Sequence, residues 1–179
     1  MAEAFVNQVN RAVGIVTSSS NASIGVGLTW MAGISTAHVA IHDIVDNANF
    51  IAGTKVTLVG VSSVQLDRAS TNTVAATASN VSFLGPTTSY TSASATKSIL
   101  IGGTFANNTA NSVNLTVTVY DNSATTESQL AAKIPVPTGS SFVISDAGKT
   151  VLEGNDEVRV YCDVENAIDV NLSILKGVS

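Results

Sequence analysis

The two histidines, His38 and His42, stand four residues apart, with Asp43 and Asp46 close behind them. On a helix that spacing turns both rings to one face, the arrangement a zinc site uses. On a strand broken by a turn the rings no longer share a face, and no metal is expected. Asn155-Asp156-Glu157, with Asp163, offers oxygen ligands of the kind calcium takes. It lacks the alternating Asp/Asn spacing of a dedicated calcium loop and reads as a solvated acidic turn. Paired carboxylates could hydrolyse a glycosidic bond, but strand-borne Asp and Glu are few, and aromatics that could stack on a sugar make up only 5% of the chain. No serine sits in a nucleophile-elbow pattern, and no glycine-rich loop precedes a helix. The single cysteine, Cys162, allows no internal disulfide and lies in the strand-like Val158-Arg-Val-Tyr-Cys162, a place for a small buried hydrophobe. No catalytic residue and no cofactor are expected, and the chain reads as a non-enzyme.

The elements that would position these residues are strands. In Ser112-Val-Asn-Leu-Thr-Val-Thr-Val-Tyr-Asp121, Val113, Leu115, Val117 and Val119 take every second place, with Asn114, Thr116 and Thr118 between them. Period two gives one apolar face and one wetted face, and Val and Thr suit a pleated surface through their branched Cβ. Similar runs lie at 98–107, 141–145, 157–163 and 168–175, separated by polar, glycine-bearing turns. Pro135-Val-Pro-Thr-Gly139 is expected as a rigid turn. This pattern predicts an all-β fold, an antiparallel β-sandwich of jelly-roll or Ig-like kind.

Upstream the signal is weaker. Phe5–Val16 is β-like, and Thr17–Ser23 is a loop by composition. Ser35–Phe50 fits either a helix capped by Ser35 or two short strands around a turn at His42-Asp43. The following Gly53–Asp67 reads as a hairpin with Val56 and Leu58 facing Val64 and Leu66, which favours the strand reading. Thr71–Ser79 is a Thr/Ala/Asn/Ser connector, and Tyr90 is expected to pack inward from an edge strand.

The chain has 179 residues and a net charge of −5, and only 12% of its residues are charged. Its Lys and Arg are scattered, so no phosphate-tracking patch exists and no nucleic-acid partner is expected. No stretch approaches the ~18 apolar residues of a membrane helix. The first residues have no basic-then-apolar pattern, so no secretory signal and no membrane partner are expected. Ser, Thr and Asn replace the missing charge, giving a neutral polar surface suited to packing against other proteins.

The frame Ser98-Ile-Leu-Ile-Gly…Val113-Asn-Leu-Thr-Val…Ile134-Pro-Val-Pro-Thr-Gly…Leu152-Glu-Gly-Asn-Asp…Asn166-Ala-Ile-Asp-Val-Asn-Leu resembles small virion proteins of tailed bacteriophages, particularly marine and cyanobacterial phages. Asn10-Arg-Ala-Val-Gly14 and Tyr90-Thr91 match further steps of that family. The intervening Val39-Ala-Ile-His-Asp…Ile51-Ala-Gly-Thr-Lys is similar to a β module of phage capsid and tail proteins, whose Val-Gly-Asp is Ile41-His42-Asp43 here. The resemblance implies a sandwich over 1–17 and 86–179, with 18–85 as an inserted β-hairpin module. It also implies a capsid decoration protein on the virion surface, made in the host cytoplasm and bound to the major capsid protein, with a trimer as the natural homo-oligomer. A tail or neck adaptor, or a displayed glycan-binding module, is the alternative. Trp30, Met31, Phe50 and Phe83 are the candidate interface anchors.

Overall fold

The computed structural model describes residues 3–19, 21–74, 80–145 and 149–178. They form fifteen strands, and no helix occurs among the described residues. Part of the connector at 71–79 falls outside them. The chain divides into two compact units, Met1–Gly14 with Thr87–Ser179, and Ile15–Pro86. The first unit begins with β1 (Ala4–Val13). The second holds β2 (Ile15–Ser19), β3 (Trp30–Ala32), β4 (Ile44–Asp46), β5 (Val56–Val59), β6 (Ser63–Leu66) and β7 (Val81–Gly85). The chain then returns to the first unit for β8 (Thr87–Thr91), β9 (Lys97–Asn107), β10 (Val113–Asp121), β11 (Thr126–Val136) and β12 (Ser141–Ile144). It ends with β13 (Thr150–Leu152), β14 (Glu157–Cys162) and β15 (Ile168–Val178).

The first unit is an antiparallel β-sandwich. One sheet runs β1-β15-β9-β12, with β13 also paired to β9, and the other runs β11-β10-β14-β8. Alternation decides what lies between them. Leu115, Val117, Val158 and Val160 from one sheet meet Leu100, Phe105, Leu172 and Ile174 from the other, all essentially fully buried. Tyr90 packs inward from the edge strand β8, and its hydroxyl shares a 2.8 Å hydrogen bond with Ser98 Oγ. Asn107 ties the β9–β10 loop down. Its Nδ2 donates to the carbonyls of Asn111 (2.7 Å) and Val136 (2.9 Å), and its Oδ1 accepts from Thr109 N–H (2.8 Å).

The second unit contains two three-stranded sheets, β2-β7-β4 and β3-β6-β5, around a core that includes Met31, Val45, Val56, Val64 and Phe83. The helical reading of 35–50 gives way to turns and the short β4. Thr17–Ser19, read as loop, continues β2 because it pairs with Phe83–Val81 of β7. Leu58 does not share a buried face with Val56. The register shifts between them, and Leu58 turns outward while Val64 and Leu66 stay buried. Pro135, expected in a turn, lies in β11, at an edge of its sheet where the missing N–H costs no ladder bond. The turn follows it, closed by Ser140 N–H to the Pro137 carbonyl. His42 takes a left-handed backbone, φ 79°, a conformation that glycine adopts most readily.

The step Asn10-Arg-Ala-Val-Gly14 has a physical reason in the sandwich. Pairing of β1 with β15 slips between Asn10 and Val13, Ala12 takes φ 56°, and Gly14 takes φ 139°. A Cβ on Gly14 would stand 2.1 Å from the Val164 carbonyl oxygen. Gly14→Ala is therefore expected to destabilise the protein by ~2 kcal/mol or more, measured by thermal or urea unfolding. An unchanged midpoint would mean that the close approach does not exist.

Candidate functional site

Along β14, Val158, Val160 and Cys162 enter the sandwich core, so Glu157, Arg159 and Tyr161 point to the other face of that sheet. Register places Thr118 of β10 beside Arg159, and Tyr120 between Glu157 and Glu127 of β11. The result is a charged knot. Arg159 Nε donates to Glu157 Oε2 at 2.7 Å, and its Nη1 reaches Glu127 Oε2 at 3.3 Å. Tyr161 donates its hydroxyl to Glu127 Oε1 at 2.9 Å, and Thr118 donates to the same oxygen. Thr88 of β8 donates to Glu157 Oε2 at 3.1 Å, and the Tyr120 ring lies 4.0 Å from the guanidinium carbon. Four strands are thereby clasped.

The knot is buried. The Glu127 side chain is 4% exposed and that of Arg159 10%. Burial opposes the Arg159 charge, but its hydrogen bond to Glu157 and the charges of Glu127 and Glu157 outweigh it and raise its pKa. Burial first, and then the Glu127 charge, push the Tyr161 hydroxyl well above its ordinary range, which keeps it a neutral donor. The guanidinium sits between the two carboxylates, so they do not face each other across open space as a hydrolase pair does across a sugar. The geometry suits clamping.

The sequence-predicted residues fall elsewhere. Met31, Phe50 and Phe83 are buried in the core of the second unit and offer a partner no surface; Trp30 alone of the four is substantially exposed, at 49%. His38 and His42 occupy turns with positive φ instead of one helical face, and no metal-ligating group of three is gathered among the described residues. Asp156 is not a free acidic turn: its two oxygens accept the N–H groups of Glu153 (2.8 Å) and Asn122 (3.0 Å). Asp163 is similarly engaged by Asn114 through its backbone N–H and its Nδ2, both at 2.7 Å. Cys162 is buried, and desolvation pushes its thiol up to about 11. An open recess of about 400 Å³ beside Lys97 and Glu153 is crossed by their exposed 3.0 Å ion pair.

The surface missed by the sequence reading is the outer face of the five-stranded sheet. Register aligns Phe5, Leu175, Ile99 and Val151 in one apolar row across β1, β15, β9 and β13. Phe5 is 78% exposed and Val151 53%. A second row places exposed Val9 and Val143 at its two ends, with Asn171 and Thr104 between them. Alternation was visible in each strand, but the row depends on register.

No family model and no curated protein matches this chain. Among solved structures it is similar to the isomalto-dextranase of Arthrobacter globiformis T6 complexed with panose, at 12% identity and a TM-score of 0.25. The match covers 97% of this chain and 34% of that enzyme, so this chain spans about a third of its length. At that TM-score the likeness carries neither fold nor activity across.

Two outcomes follow from these contacts. Arg159→Met removes the guanidinium ion-paired with buried Glu127 and should destabilise the protein by about 3–5 kcal/mol. Adding Glu127→Gln, which keeps an acceptor for Tyr161 and Thr118, should recover part of the loss in urea unfolding. Asp43 is buried, which raises its pKa, with a smaller opposing effect from the 2.9 Å bond from Ala40 N–H. Its favourable contribution is full below its ordinary 3.8 and is lost as pH rises through the raised folded value. The melting-temperature difference between Asp43→Asn and wild type should therefore grow more positive from pH 3 to pH 7.

Proposed function

We propose that the protein is a structural component of a tailed-phage virion, a decoration protein that binds and stabilises the assembled shell of major capsid protein. The observation that carries the reading is the apolar row Phe5–Leu175–Ile99–Val151 on the outer sheet face, exposed at Phe5 and Val151 and half-buried between them. It is set in a surface poor in charge, with 12% charged residues over the whole chain. Such a face gains by covering apolar area against a neighbour. The resemblance of the sandwich strands and of Asn10–Gly14 to phage virion proteins supplies the identity of that neighbour. The charged residues that could attempt chemistry are engaged with one another or with backbone amides, which supports a binding role.

A shell holds many equivalent sites, so modest affinity at each, multiplied over linked contacts, gives firm retention. The protein would be made in the host cytoplasm and end on the capsid surface. Copy number separates this reading from a tail or neck part. Quantitative mass spectrometry of particles should give hundreds of copies for decoration, and a dozen or fewer would overturn it.

The sheet face can be tested directly. Val143 and Val151 are exposed, so Val143→Asp with Val151→Asp should leave the fold intact. Each lost valine contact is worth about 1.5 kcal/mol, so binding to empty shells should weaken by at least tenfold. Cosedimentation with recombinant shells measures it, and wild-type protein that stays in the supernatant would refute the proposal.

A further inference from the structure

We infer that β1 is an assembly edge, and that its occupant is β1 of a second copy, paired antiparallel about a twofold axis at Asn7. The five-stranded sheet ends at β1 on one side, and the backbone of Ala4–Asn10 makes no described hydrogen bond except along β15. Alternate residues of such an edge point their N–H and C=O groups away from the sheet, ready for another strand. The other edges of the sandwich are blunted. β12 and β13 are four and three residues long, and β8 is short and carries a register shift. β11 is long but carries two register shifts, Lys133 at φ 48° and Pro135. From Ala4 to Asn10, β1 has no bulge, no proline and no charge.

The sequence of this edge is complementary to itself. Phe5, Asn7 and Val9 alternate on the exposed face, flanked by exposed Glu3 just before the strand and exposed Arg11 at the register slip. Antiparallel pairing about Asn7 sets each residue against the one equally far beyond the axis. Asn7 then meets Asn7 of the copy, Phe5 meets Val9, and Glu3 meets Arg11. The apolar residues, 78% and 61% exposed in one chain, cover each other. The opposite charges meet twice, once on each side of the axis. Phe5 heads the apolar row of its own sheet and Val9 heads the second row, so the pairing runs each copy's Phe5 row into the other copy's Val9 row. A twofold contact follows from the edge, in place of the threefold closure expected from shell binding alone. It does not depend on what that face docks onto.

The 179-residue chain should sediment as a dimer, twice 18.2 kDa. Glu3→Arg or Arg11→Glu alone sets like charges opposite each other and should weaken dimerisation about tenfold. The double variant Glu3→Arg with Arg11→Glu restores both pairs and should restore the dimer. These side chains are exposed, so unchanged thermal melting of each variant shows that the fold is retained. Asn7→Cys should form an intermolecular disulfide on mild oxidation, because the axis brings the two positions within bridging distance. Val9→Cys faces Phe5 and should cross-link far more slowly, and buried Cys162 does not compete. A monomer at every concentration overturns the inference. So does an oligomer indifferent to charge reversal, or faster cross-linking at position 9 than at position 7.

Discussion

The sandwich depends on mutual burial by two central strand pairs. β9 and β15 present Leu100, Phe105, Leu172 and Ile174 to Leu115, Val117, Val158 and Val160 of β10 and β14. Neither sheet can keep its apolar face dry alone, so the two form together or not at all. The edge strands depend on this arrangement, since β1 pairs only β15, while β8 and β11 pair only the β14–β10 centre. The clasp of Thr88, Thr118, Glu127, Glu157, Arg159 and Tyr161 reaches across β8, β10, β11 and β14 from the opposite face. It orders side chains whose own burial costs free energy, so it fixes register more than it adds stability.

A chain with few charges must secure its loops by other means. Neutral hydrogen-bonding side chains do this here. Asn107 bridges two strand ends, Ser92 and Tyr90 both reach Ser98, and Thr138 donates to the Thr109 carbonyl at 2.7 Å. Several of the carboxylates present are turned onto backbone amides: Asp156 on Glu153 and Asn122, Asp163 on Asn114, and Asp169 on Ala12. Charge spent internally is unavailable at the surface. Away from the Glu3–Arg11 pairs, contacts made by such a surface rest on apolar area and neutral polar groups, and salt should affect them little.

Period-two alternation made β9, β10, β12, β14 and β15 legible, with the alternate residues of β10 that enter the core, but it left β11 and β13 unread. It misjudged the opposite face. Thr116 and Thr118 read as wetted by alternation, yet both are buried, Thr118 completely, and Tyr161 is completely buried on the same face. Glu127 and Arg159 are 32 residues apart, and only strand register brings them together. Leu58 was misplaced because one shifted pairing reverses the facing of every residue beyond it. Met31 and Phe83 looked like anchors because large apolar residues serve cores and interfaces alike, and composition does not separate the two. That β1 lies at an edge depends on its pairing with the last strand of the chain, which no local pattern encodes.

The placement of the second unit within the sandwich sequence raises a question of cost. The chain leaves after Gly14 and returns at Thr87, so a long excursion separates two strands of one sandwich. A flexible loop of that length would charge the sandwich its closure entropy, which grows with the logarithm of loop length. The second unit reduces that cost by closing itself. Ile15 pairs with Gly85, and Val16 with Leu84, so the unit's own two ends are neighbours across a ladder. Such partners lie about 5 Å apart. Seen from the sandwich, the folded insertion is therefore the equivalent of a short hairpin connection between Gly14 and Pro86. Unfolding the second unit alone would restore the long loop, so its stability bears on that of the sandwich through chain connectivity.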